Sequence, residues 1–229
     1  MSDQQKISVI VPIHKKNSRL SEIRKQINHS QQTVELIIVI NNNELKEVIK
    51  PENTFEKVVV AKKIGRGYAF IKGIMKSHED SVLLLHSDTL LPTNWDKAIT
   101  KALEDDRIVG GGFSISFDSH SYYLKLLVYT SYIRFRLTGE ILGDRAIFAR
   151  SEILKKCLHV MDVPLFEDVR LSKFMRKFGS TTLLKEKVVT SADSFRKNGM
   201  LGHLWRIVKC RLLYVLGVDL EKIYKYYYS

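Results

Sequence analysis

Four short apolar runs constrain the fold of this chain more than any other feature: ISVIVPI at 7–13, ELIIVI at 35–40, FEKVVVA at 55–61 and VLLL at 82–85. They are built mainly from β-branched and aliphatic residues. Each is far shorter than the roughly 18 residues a membrane crossing needs. The stretches between them have helical periodicity. Leu20, Ile23 and Ile27 recur at helical spacing with Ser18 available as a cap, a short helix is predicted over 44–49 before Pro51, and Tyr68 to Met75 reads as helix after a break at Gly65-Arg66-Gly67. Strand and helix alternating over short connections predict an α/β fold, with a mostly parallel, Rossmann-like sheet covered by helices on both faces.

The pattern changes after Pro92. A helix is predicted to about Leu103, then a strand over 108–117 whose glycines 110–112 permit close approach of another backbone or a ligand. Tyr122 to Leu137 reads as an aromatic-rich helix, and Leu142 to Phe148 as a strand with a turn at Gly143-Asp144. Residues 164–179 form a well-marked helix with Leu171, Phe174, Met175 and Phe178 as its apolar stripe and Gly179 as its C′ stop. TTLLKEKVVTSA at 181–192 closes the sheet. With 229 residues and no linker or repeat, the chain is predicted to be one domain.

A formal net charge of +12 implies a polyanionic partner: phosphorylated ligands, an anionic membrane surface or nucleic acid. The basic residues are spread along the chain and no recognition-helix or RNP-type motif is present, which argues against nucleic acid. Cys157 and Cys210 lie too far apart in sequence for a zinc-type spacing. The polar opening MSDQQK predicts a cytosolic protein, with contact on the inner face of a membrane as an extension of that reading. Residues 198–217 are amphipathic, with Leu204, Trp205, Val208, Leu212, Val215 and Leu216 on one stripe. The simpler expectation is a helix whose stripe covers the sheet; the alternative is peripheral membrane contact on anionic lipid. The tyrosines at 224 and 226–228 suit a subunit interface or a membrane surface equally.

Three features carry candidate chemistry. Asp88 follows the fourth strand, where open α/β sheets bind ligands, and a carboxylate there suits a hard divalent cation bridged to phosphate. Glu167-Asp168 opens a helix: such acids complement the helix dipole, and one can also serve as a general base. Arg66 between two glycines can meet a diphosphate, although an ordinary strand-to-helix turn accounts for the same residues. No P-loop or complete GxGxxG is present.

Taken in order, ISVIVPI, ELIIVINNN, GRG, LLLHSDTLLP, GDRAIF and PLFEDVRLS resemble the motifs of family 2 glycosyltransferases of GT-A fold. The closest resemblance is to small bacterial enzymes associated with arsenosugar biosynthesis or with radical-SAM proteins, and it covers about residues 7–217. It implies a nucleotide-binding half over 1–106, an acceptor and catalytic half over 107–192, and a helical extension over 193–229. Asp88 would ligate Mn2+ or Mg2+ on the donor diphosphate, with Ser87 beside it and His86 where the first acid of a DxD motif would stand. Pro12 and Asn41 would border the nucleotide base, Arg66 the diphosphate, and Asp144 the acceptor side. Asp168, with Glu167 next to it, matches the ED pair that supplies the catalytic base. The implied reaction is inverting transfer from a UDP- or GDP-type sugar to an acceptor hydroxyl.

The second strand departs from that family, because Asn41, Asn42 and Asn43 stand where acids are usual. An amide still offers a donor and an acceptor to a base edge. The departure keeps open a non-catalytic GT-A-like module that binds a nucleotide or a partner, and the net charge of +12 keeps open a basic protein associated with membrane or nucleic acid.

Overall fold

The computed structural model describes residues 6–14, 19–32, 34–41, 43–63 and 65–228. One eight-stranded sheet runs through it: β1 (Ile7–Ile13), β2 (Val34–Ile40), β3 (Glu56–Val60), β4 (Ser81–Leu84), β5 (Thr89–Leu90), β6 (Ile108–Phe117), β7 (Ile147–Arg150) and β8 (Ser180–Thr190), in the order β3-β2-β1-β4-β7-β6-β8-β5. The first four strands in that order are mutually parallel. β7 enters antiparallel between β4 and β6, and β8 lies parallel to β6.

Because side chains alternate across a strand, β1 feeds two cores. Val9, Val11 and Ile13 pack on one side with α1 (Leu20–Asn28) and α4 (Trp95–Leu103), while Ile10 faces α3 (Arg66–Ile74). On the Ile10 side lie also α6 (Ser151–Met161) and α7 (Glu167–Met175), through Leu154, Cys157, Leu171 and Met175. Burying each such side chain contributes roughly 1.5–3 kcal/mol, so the runs read as strands become a two-sided sheet. α2 (Asn43–Val48) and α5 (Tyr122–Thr138) complete the flanks, and α8 (Asp193–Asn198), α9 (Met200–Val215) and α10 (Leu220–Tyr228) end the described chain. The glycines of β6 do admit another backbone: a Cβ on Gly111 would lie 2.3 Å from the Thr182 carbonyl.

Several expectations are corrected. α3 begins at Arg66, so Gly65 alone breaks the chain, at φ 136°. Residues 143–145 form a 3-10 turn instead of strand, and β7 starts only at Ile147. α7 runs Glu167–Met175, shorter than the predicted 164–179, because Phe166 holds a left-handed conformation that blocks an earlier start. Phe178 is exposed, not part of the buried stripe. Gly179 lies past the turn that ends the helix at Arg176, and its missing side chain serves packing against Val109. Ser18, offered as a cap for α1, lies outside the described residues.

The largest correction concerns the C-terminus. In place of one helix and a tail there is a hairpin of α9 and α10. Its buried side, Cys210 and Ile223 with Leu165, clamps the loop before α7. The stripe expected to cover the sheet turns the other way: Trp205, Val208, Leu212, Val215 and Leu216 are all exposed.

Candidate active site

Beyond the carboxyl end of β4, the chain passes His86, Ser87 and Asp88 and crosses to β8 through the two-residue strand β5. Thr89 fixes that crossing, its Oγ1 lying 3.0 Å from Thr190 Oγ1 and 3.2 Å from Asp88 Oδ1. Asp88 is thereby left exposed at the rim of a cleft of about 390 Å3. The amino end of α3 brings Arg66 to the same cleft, the 3-10 turn brings Asp144, and the first turn of α7 brings Asp168.

Asp168 is held by two backbone donors: Gly143 N–H donates to Oδ2 at 2.7 Å and Val169 N–H to Oδ1 at 2.7 Å. Gly143 itself sits where no side chain fits, since a Cβ would lie 2.7 Å from His86 Nε2 and 3.4 Å from Asp168 Oδ2. His86 stacks on Phe70 with centroids 5.9 Å apart, and its Nε2 is covered without a protein partner. Burial, with Arg66 and His14 adding to it, lowers the imidazole to about 3, so it is neutral at physiological pH. Asp144 Oδ1 is likewise covered and unpartnered. Burial pushes this carboxyl up to about 6, with Asp168 adding to the rise and Arg145 opposing it.

Residues 8–158 match the family described as glycosyl transferase family 2. The chain belongs to glycosyl transferase family 2. No curated protein matches it in sequence. Among solved structures it is similar to S. aureus TarS, with a TM-score of 0.62 and 15% identity over 82% of this chain and 37% of that one. It therefore spans well under half of TarS. TarS 1–349 in complex with UDP-GlcNAc gives 0.60 and 16% identity, over 81% of this chain and 58% of that one. Glucosyl-3-phosphoglycerate synthase from Mycobacterium tuberculosis, crystallised with Mn2+, UDP and phosphoglyceric acid, gives 0.59 and 16%, over 94% and 80%. At such identities the likeness is one of fold, and the fold is GT-A.

In this member of family 2 the predicted site residues do not all meet. Asp88, Arg66, Asp144 and Asp168 line the cleft together. Pro12 is buried near the end of β1, paired with Val39, and Asn41 follows β2 half-buried; neither lines the cleft, nor does Ser87. Asn42 lies outside the described residues. Glu167 is placed differently from its neighbour Asp168. Only 2% exposed, it turns inward, pairs with Arg66 Nε at 3.1 Å and does not line the cleft. Burial raises its pKa, against the pull of Arg66.

Sequence reasoning missed the far wall. Arg134 from α5 and Arg211 and Tyr227 from the C-terminal hairpin line the cleft as well, and Glu140 pairs with both arginines. Arg134 Nε is buried without a hydrogen-bond partner. No local pattern marks these residues, because they meet only when the hairpin folds back over α5.

Proposed function

We propose that this glycosyltransferase moves a sugar from a nucleotide-sugar donor to an acceptor hydroxyl with inversion, using Asp168 as general base. One observation carries the reading: Asp88, Arg66, Asp144 and Asp168 reach a single cleft from four different elements. Asp168 would take the acceptor proton as the acceptor oxygen bonds to the anomeric carbon, while the bond to the nucleoside diphosphate breaks. The two backbone N–H groups keep its carboxylate aimed during that transfer. Arg66, steadied by Glu167, would face the departing diphosphate. Asn41, at the end of β2, would offer its amide to the base of the donor.

A divalent cation, Mn2+ or Mg2+, fits as an ion carried in with the donor. Asp88 provides one exposed carboxylate, and among the described residues no three His, Cys, Asp or Glu side chains are grouped to hold a metal. Such an ion, when bound, neutralises charge on the leaving diphosphate. HSD at 86–88, GDR at 143–145 and FEDVRLS at 166–172 support the arsenosugar or radical-SAM-associated subgroup as part of this reading.

The test pairs binding with turnover. Thermal shift against UDP- and GDP-sugars, with and without Mn2+, should reveal a donor that raises the melting temperature. Asp88→Ala is expected to lose the Mn2+-dependent increment. Asp168→Asn should keep donor binding yet slow nucleoside diphosphate release from the donor by about 10²–10⁴-fold. Full turnover by Asp168→Asn rejects it as the base. If no nucleotide sugar shifts the melting temperature, the reading passes to a non-catalytic GT-A-like module.

A further inference from the structure

Two helices with apolar outer faces border the cleft. On α5, Tyr122, Leu126, Tyr129 and Ile133 recur at intervals of three and four and are all exposed. On α9 the same holds for Trp205, Val208, Leu212 and Val215, and Trp205 is 67% exposed. The inner sides of both helices face the cleft: Leu127, Ser131 and Arg134 from α5, Leu204, Ile207 and Arg211 from α9. Val208 of the α9 stripe lines it too, and so does exposed Thr130, next to Tyr129 of the α5 stripe. Exposed apolar surface on this scale marks an interaction site.

The charges name the occupant. Neither α5 nor α9 contains an Asp or a Glu. Lys125 and Arg136 border the first stripe and Lys209 the second, all exposed, on a chain of net charge +12. Tyrosine and tryptophan at the edge of an apolar face suit a boundary that is wet on one side and greasy on the other. A second copy of this chain suits it poorly, since a two-fold pairing sets the same basic borders against each other. Among the described residues no helix is long and apolar enough to cross a membrane, so the contact is a resting one.

We propose that the outward faces of α5 and α9 together dock this chain on an anionic bilayer, with the cleft opening between them. The claim is independent of sugar transfer and is read by binding alone. The sequence contains two tryptophans; Trp95 is 3% exposed and Trp205 is the exposed one, so a change in emission on docking reports Trp205. The chain is titrated with vesicles of phosphatidylcholine alone and of phosphatidylcholine with phosphatidylglycerol, over a salt series. Binding to the anionic vesicles should be at least about tenfold tighter, weaken with salt, and shift Trp205 emission to the blue. Trp205→Phe should abolish the shift. Leu212→Glu and Tyr129→Glu, both on exposed positions, should each weaken binding about tenfold. Equal affinity for the two vesicle types overturns the proposal. So does a vesicle-free dimer in which Trp205 is already shielded from quencher. An unaffected Tyr129→Glu removes α5 from the surface and overturns the two-helix form of it.

Discussion

His86 and Asp144 face one cleft with opposite electrical demands. The imidazole sits at about 3 in the folded chain, against about 6.5 unfolded. Its contribution to stability is therefore whole above about pH 6.5 and is lost as the pH falls, because the unfolded state binds the extra proton. Asp144 sits at about 6, against about 3.9 unfolded, so here the folded state binds the extra proton. Its charge destabilises above about pH 6, and that effect disappears on acidification to about pH 4. Between those limits the two slopes, each about 1.4 kcal/mol per pH unit, oppose and cancel. Asp144→Asn should uncover the His86 slope: about 3 kcal/mol more stable than wild type near pH 7, and equal to it near pH 4, by urea denaturation. A constant difference across that range would show that Asp144 does not titrate there. Gly143 sets the spacing of the same cluster. Gly143→Ala would force its new methyl against His86 and shift Asp168, and a misplacement near 1 Å can lower turnover about 10²-fold. Donor affinity, measured by calorimetry, should change far less.

At the scale of elements, the α9–α10 hairpin is what turns an open sheet end into a walled cleft. Phe166, at φ 64°, precedes Glu167 and stacks near Tyr214 of α9, ring centroids 4.6 Å apart. A left-handed phenylalanine stores roughly 1–3 kcal/mol, offset here by that packing. Ala146, at φ 48°, follows the Gly143–Arg145 turn, so both strained non-glycine residues near the cleft adjoin segments that carry its acids. The hairpin rests on a small cluster around Leu165, Cys210 and the fully buried Ile223. Ile223→Ala should remove about 2–5 kcal/mol from that cluster. The effect is expected as faster amide exchange through α10 and the end of α9, with β1 and β2 protected as before. Uniform loss of protection instead would mean that the hairpin and the sheet unfold as one unit.

For the whole molecule, the sheet does not divide where the resemblance divides the chain. β4 gives one edge to β1 and the other to β7, so strands from both sides of residue 106 share one ladder. A fragment ending at 106 would leave the Ser81–Leu84 edge bare and strip Phe113, Phe148 and Val188 from the core around Leu83. The full chain is expected to melt in one calorimetric transition, and that fragment in none; a sharp transition from the fragment would mean that the first half folds alone. The first four strands and most of the helices were legible in the residues, because short continuous apolar runs and helical stripes are local, and burial rewards each where it stands. Asp88, Arg66 and Asp168 were marked in the sequence by their places at strand and helix ends, and Asp144 only by the resemblance; that all four line one cleft is the work of the fold. Other features had no local signature. Glu167 and Asp168 are neighbours in sequence, yet the first-turn geometry of α7 sends one inward to Arg66 and the other to the cleft. The α9 stripe reads equally as core or as surface, since amphipathicity states that a face will be covered but not by what. Long-range packing chose between them: the hairpin spends its other side on Leu165 and Phe166, closes the cleft with Arg211 and Tyr227, and leaves the stripe outward.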